Sequence, residues 1–300
     1  MKKFLLKILL FLCIVTLLDV CFGIAMRHIL ATTEKGDWGR RSYIVSKAEQ
    51  DILVFGSSRA IHHFDPEILS DSLQLTCYNC AEDGTGILVH YPRLKKVIER
   101  HRPQIVVYEI IPKYDFLVFD NIHSLSQLRA FAEDQVVKDV IVDIDPKESI
   151  LLISSLYKYN SSFLDILLQR FSPSKGTAAD YTYSPLQGVI SYEPSEEDNE
   201  VEGGNVDELK MKYLTALVDL CQANGIQLFF TASPWYKMKE QDVYEPLIHL
   251  CQEKNISFFN HNFDDSFNLN NMYFSDHAHL NEYGAETYTK LIAHEIKTRF

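Results

Sequence analysis

The chain has 300 residues, 46% of them hydrophobic and 23% charged, which suits one α/β domain with an appendage and excludes two large domains. Its 29 Lys and Arg against 41 Asp and Glu leave a formal charge of -12. No basic cluster stands out from that acidic background, which argues against a nucleic-acid surface and leaves nucleic acid out of the expected partners.

The N-terminus is a separate material. Phe4 to Met26 is apolar over 23 residues apart from Lys7 and Asp19, with Lys2 and Lys3 in front. At about 1.5 Å rise per residue such a helix spans a hydrocarbon core of roughly 30 Å. The basic flank predicts a cytoplasmic N-terminus, so residues 1–27 read as a single-pass signal anchor in the cytoplasmic (inner) membrane with the remainder extracytoplasmic. No small-x-small cleavage site follows, and Leu18-Asp19-Val20 before Cys21 is a poor lipidation site, so the anchor is expected to be retained. Asp19 costs a few kcal/mol in mid-membrane and is expected to face a partner. Residues 28–50, polar and mixed in charge, read as a stalk.

From Asp51 the chain alternates. Asp51-Ile-Leu-Val-Phe55, stopped by Gly56, is a buried strand by its short apolar run. Leu73 to Asn79 is a second strand candidate, Leu88 to Arg100 a helix ending before Pro103, and Gln104 to Ile111 the clearest β-rich run. Residues 121–171 carry helical patterns without a strong strand and read as an insertion over one edge of the sheet. Residues 172–206 read as a long loop rich in Pro, Ser, Gly and acids, its run Glu196-Glu197-Asp198 taken as solvated. Leu209 to Asn224 is a helix stopped by Gly225, Ile226 to Ala232 and Ile256 to Phe259 are further strands, and Glu282 to Thr298 is the last helix. Short apolar strands alternating with amphipathic helices predict a parallel sheet covered on both faces. Cys77 and Cys80 form a C-x-x-C without a second ligand pair, and read as small buried hydrophobes rather than half a metal site.

Two short blocks carry chemistry. Gly56-Ser57-Ser58-Arg59 leaves the first strand at the carboxyl edge, where open α/β sheets bind ligands and where helix N-H groups favour developing negative charge. Either serine could simply cap the helix. Ser275-Asp276-His277-Ala278-His279-Leu280-Asn281 precedes the last helix. A serine hydroxyl needs an imidazole held by a carboxylate before it attacks, and Asp276 and His279, three apart on a turn, can deliver both from one loop. Asp276 could instead cap the last helix. The two histidines, without nearby partners, make a weak metal pair.

Together the blocks resemble the SGNH/GDSL hydrolase superfamily in its membrane-anchored branch. The resemblance covers roughly residues 51–298 and implies a three-layer α/β/α domain over residues 51–300, with a five-stranded parallel sheet in the flavodoxin-like order 2-1-3-4-5. It makes Ser58 the nucleophile, His279 the base and Asp276 the acid. Tyr78 to Gly84 resembles the second block and implies Gly84, with the N-H of Ser58, as oxyanion donors. In the third block Asp115 fits the final Asp, whereas Tyr114 stands where the family has Asn, so Tyr114 becomes the candidate third donor. No metal or cofactor is implied.

Arg59 is a candidate contact for an anionic substrate, with an ion pair to an acid as the plainer reading. Trp235, in Ser233-Pro234-Trp235-Tyr236, is a candidate for stacking on a sugar, with core packing at least as plausible. The function these residues imply is an esterase removing O-acyl groups from a cell-surface glycan or small ester. The alternatives are an O-acyltransferase served by a membrane acyl-donor protein, and a catalytically decayed module that binds a glycan or scaffolds an assembly.

Overall fold

A computed structural model describes residues 1–173, 176–178, 183–195, 204–238 and 242–300. In chain order these form α1 (Lys2–Ala31), α2 (Gly36–Ser46), β1 (Ile52–Gly56), α3 (Ser58–His63), α4 (Pro66–Leu73), β2 (Cys77–Asn79), α5 (Ile87–Ile98), β3 (Ile105–Glu109) and α6 (Pro112–Asp115). Then come α7 (Leu125–Leu128), α8 (Gln135–Ile144), α9 (Glu148–Leu151), α10 (Ser155–Tyr159), α11 (Phe163–Arg170), α12 (Glu208–Ala223) and β4 (Gln227–Ala232). The chain closes with α13 (Glu245–Lys254), β5 (Ser257–Asn260), α14 (Asp265–Asn268) and α15 (Glu282–Lys297). Two compact units emerge: Met1–Tyr43 with Asn121–Asp180, and Ile44–Asp120 with Tyr181–Phe300.

The second unit holds one parallel sheet of five strands in the order β2-β1-β3-β4-β5, as expected. The central strands β1 and β3 are buried from end to end because both faces are covered. Alternation along each strand sorts the side chains. Ile52, Val54, Ile105, Val107, Phe229 and Phe259 join a core with Ala60 of α3, Phe64 just after it, Leu69 of α4, and Tyr288, Ile292 and Ile296 of α15. Leu53, Phe55, Val106, Tyr108, Leu228 and Phe230 point the other way, where α5 and α12 pack together and against the strands. A fully buried side chain of this size contributes roughly 1.5–3 kcal/mol. The second strand is shorter than expected, because residues 66–73 are helical. Asp65 caps that helix through the N-H of Glu67, and Pro66 opens it.

The first unit corrects the stalk. Residues 28–31 continue α1, and α2 occupies 36–46. Trp38, which looked like part of a polar linker, is buried with Met26, Leu30, Ala130, Tyr159 and Ile166. Polar residues on α2 hid a helix that buries Trp38 and Ile44. Helices α7 to α11 lie between residues 125 and 170. α1 is long and apolar enough to cross a membrane. Part of the expected loop, including the acidic run at 196–198, lies outside the described residues.

None of the six cysteines forms a disulfide; Cys80 is buried and Cys77 partly so. No group of three or more metal-ligating side chains occurs among the described residues.

Candidate active site

The site is assembled from the ends of the sheet. β1 closes on Gly56, whose φ of 137° lies where side chains are strained. A Cβ there would meet the Glu109 carbonyl oxygen at 2.7 Å and the Ala60 Cβ at 2.8 Å, so the turn admits only glycine. Ser57 follows as the N-cap of α3 but makes no side-chain cap, and its buried hydroxyl has no hydrogen-bond partner. The capping reading therefore fails for Ser57. Ser58 opens α3, and it is the hydroxyl that meets a base.

That base arrives from 221 residues further along. His279 Nε2 lies 2.9 Å from Ser58 Oγ, and His279 Nδ1 lies 3.0 Å from both carboxylate oxygens of Asp276. With Nδ1-H donating to the carboxylate, Nε2 is left to accept the serine proton. Asp276 Oδ1 also accepts the N-H groups of Ala278 and His279, at 2.8 and 2.9 Å, so the carboxylate shapes the turn that carries the imidazole. Partial burial pushes the Asp276 carboxyl upward, but the His279 side chain and these two amides outweigh it and hold it below its usual range. The final helix takes Asn281 as its cap, through the N-H of Gly284, which disposes of the capping role for Asp276.

Behind the pair lies a buried network. His63 Nε2 accepts the N-H of Leu280, the residue next to His279, at 2.9 Å. Its Nδ1 must then carry the proton, and lies 2.7 Å from Ser233 Oγ. The Ser233 hydroxyl in turn donates to Glu109 Oε1 at 2.6 Å. Burial, reinforced by the Arg59 charge, keeps His63 well below the ordinary imidazole value and therefore neutral. Glu109 also accepts the Ser233 N-H and the Thr231 hydroxyl, and Arg59 lies 3.5 Å away.

This corrects the role given to Arg59. Its guanidinium is 2% exposed and is used up by Glu109, Ser233, Pro234 and Asn262, so it does not reach a substrate. The plainer reading, a partner acid, is the one observed. Sequence reasoning missed Glu109, although the signal was present: a lone carboxylate inside Ile-Val-Val-Tyr-Glu-Ile-Ile must be paired if the strand is buried.

The remaining candidates fall as follows. Gly84 lies beyond β2 with φ 67°, a left-handed turn position suited to glycine. The half-buried Tyr114 ring meets Phe119 edge-on, with the Lys113 amine 5.0 Å from its centroid. Asp115 turns inward, accepting the Tyr108 hydroxyl and the Ile111 N-H at 2.7 Å each, and burial pushes its carboxyl up to about 7. Trp235 is half-buried between Arg59, 5.2 Å away, and the His277 ring at 5.7 Å, and its indole nitrogen has no acceptor. His62 packs edge-on to His279 with ring centroids 5.6 Å apart, and its Nδ1 lies 2.6 Å from the Ser184 carbonyl oxygen.

No family model matches the chain, and no curated protein matches its sequence. Solved structures resemble it remotely. A protein described as an acylhydrolase from Bacteroides fragilis is 14% identical, over 86% of this chain and 94% of its own, with a TM-score of 0.43. A GDSL-like lipase from Bacteroides thetaiotaomicron is 11% identical over 83% and 88% of the two chains, with a TM-score of 0.39. An acetyl xylan esterase is 12% identical over 83% and 98%, also with a TM-score of 0.39. Similarity this distant carries no activity from those proteins to this one.

Proposed function

We propose that the chain is a membrane-anchored serine esterase of the SGNH/GDSL type that removes O-acyl groups from a cell-surface glycan. The observation that carries this is the unbroken relay from Ser58 Oγ through His279 to Asp276, with hydrogen bonds of 2.9 and 3.0 Å. His279 takes the Ser58 proton as the oxygen attacks the ester carbonyl, and the resulting imidazolium is steadied by Asp276. The oxyanion is received by the N-H groups of Ser58 and Gly84, with Tyr114 as the candidate third donor. The alkoxide leaving group collects the proton from His279. Water, deprotonated in turn by His279, then releases the acyl group from Ser58.

α1 supports an enzyme held at the membrane, with its second unit outside the cytoplasm, in reach of surface polymers. It equally favours a second reading, in which a sugar hydroxyl replaces water and an integral membrane protein supplies the acyl donor. The third reading, a decayed binding module, draws on Tyr114 in place of the family's Asn; the intact relay speaks against it.

A fluorophosphonate probe applied to the full chain is expected to label the wild type and not Ser58→Ala. Absence of labelling in the wild type would sink both enzymatic readings. Product analysis from an acylated oligosaccharide, with and without added acceptor, separates hydrolysis from transfer.

A further inference from the structure

Asp19 sits in the apolar run of α1, yet its carboxylate is fully engaged. It accepts the Ser154 hydroxyl and the N-H groups of Ser155 and Leu156, each at 2.8 Å. These are the free donors at the start of α10. One turn along α1, a Cβ on Gly23 would collide with Ser155 Oγ, so glycine lets the two elements close up. Phe22 packs edge-on against Tyr159 and Phe163, at 6.2 and 6.4 Å, and Met26 and Leu30 join Tyr159 and Ile166 in the core of this unit. Asp19, Gly23, Met26 and Leu30 recur at helical spacing and form one contact stripe.

In hydrocarbon, both an unpaired carboxylate and unpaired helix N-H groups are costly, and here each satisfies the other. Asp19 precedes Met26, the end of the apolar run, by seven residues, or about 10 Å along the helix. The start of α10 is therefore held at acyl-chain depth. Arg27, about 12 Å beyond Asp19, meets Glu133 at 3.4 Å, and Glu133 also pairs with Lys158. An ionic layer thus falls where the lipid headgroups begin.

The side chains around that buried contact are the wrong ones for water. Eight large apolar residues between Ile150 and Phe171 are exposed, among them Ile153 at 79%, Ile150 at 72% and Leu168 at 63%. They are spread over α9, α10, α11 and the joining turn, so they form a skirt around α1 rather than one groove. A skirt at a fixed depth suits lipid acyl chains better than a single protein partner. Lys147, exposed beside them, has the long stem needed to lift its amine to the headgroups.

We propose that the lower end of the insertion, α9 to α11, is embedded in the outer leaflet beside α1 and takes lipid acyl chains as its partner. This rests on reading α1 as a membrane span. The test uses the full chain reconstituted in phosphatidylcholine vesicles, in a background with the accessible thiols replaced (Cys13→Ala, Cys21→Ala, Cys77→Ala). An environment-sensitive fluorophore is attached in turn at Ile153→Cys, Leu168→Cys, Leu12→Cys in α1, and Asp139→Cys on the polar end of the insertion.

Labels at 153, 168 and 12 are expected to lose fluorescence to lipid-borne nitroxides and to resist aqueous iodide; the label at 139 is expected to do the reverse. If position 12 is lipid-shielded while 153 and 168 answer to iodide, the embedding is wrong and the span stands. If position 12 answers to iodide as well, the span itself fails. Shielding of 153 and 168 that appears only in native membranes, and not in lipid vesicles, would overturn the lipid assignment in favour of a protein partner.

Discussion

The two units handle polar and apolar groups in opposite ways. In the sheet unit, charge is buried and greasy surface is scarce: Arg59 and Glu109 lie in the core, and nine large apolar side chains are exposed among the described residues of the whole unit. In the anchor unit, eight such side chains crowd into the 22 residues from Ile150 to Phe171, with further ones lining α1. The same rule produces both patterns, since each group is matched to its solvent. Buried charge in the sheet unit is tolerated because every oxygen of Glu109 is hydrogen-bonded, and exposed grease in the anchor unit fits the second apolar phase proposed above.

That contrast can be attacked at several points. The largest effect is expected from Ser58→Ala, which should lower ester turnover by about 10⁴-fold or more while leaving thermal unfolding unchanged. Glu109→Leu would strand the Arg59 guanidinium in the core and is expected to destabilise the sheet unit by about 3–5 kcal/mol, read by denaturant unfolding. Stability retained in that variant would mean the buried charges matter less than their geometry suggests.

Asp115 gives a pH test of comparable size. Because burial raises its carboxyl to about 7 in the folded protein, the native state holds a proton that the unfolded chain has released above about pH 4. Stability should therefore fall as pH rises from about 4 toward 7, by on the order of 4 kcal/mol, and level off above. Asp115→Asn should flatten this slope, and an unchanged slope would assign it to other groups.

In the anchor unit, Asp19→Leu frees three donors at the start of α10. It should cost about 1–3 kcal/mol locally, read as faster proteolysis near residues 146–162 in detergent, whereas Asp19→Asn should be milder. The smallest effect belongs to Ser57→Ala. That hydroxyl bonds to nothing, so activity and stability should shift by about 0.5 kcal/mol or less. Equal loss from Ser57→Ala and Ser58→Ala would remove the distinction between the two serines.

Much of the sheet unit was readable because its signals are local. Apolar runs stopped by Gly56, or followed by Gly225 in the case of α12, mark strands and helices; Gly-x-Ser and Asp-x-x-His are fixed by the turns they build. The strand order came through the motif resemblance, not from the strands themselves. What escaped depends on distant partners. Arg59 looked available to a ligand because Glu109 is 50 positions away, and His63 gave no hint that it grips the amide after His279. In the anchor unit, α2 was hidden by its charges, and the partner expected for Asp19 turned out to lie 135 residues on in the same chain. Sequence periodicity does not report such pairings.

The distance in sequence between Ser58 and His279 has a consequence for synthesis. As the chain leaves the ribosome, the hydroxyl is made early and the imidazole among the last residues, after all five strands. A nascent or truncated polypeptide ending before His279 holds the serine without its imidazole partner. On the proposed esterase reading, the hydroxyl gains its base only after all five strands have been made, so the unfinished chain spares the esters it meets on the way.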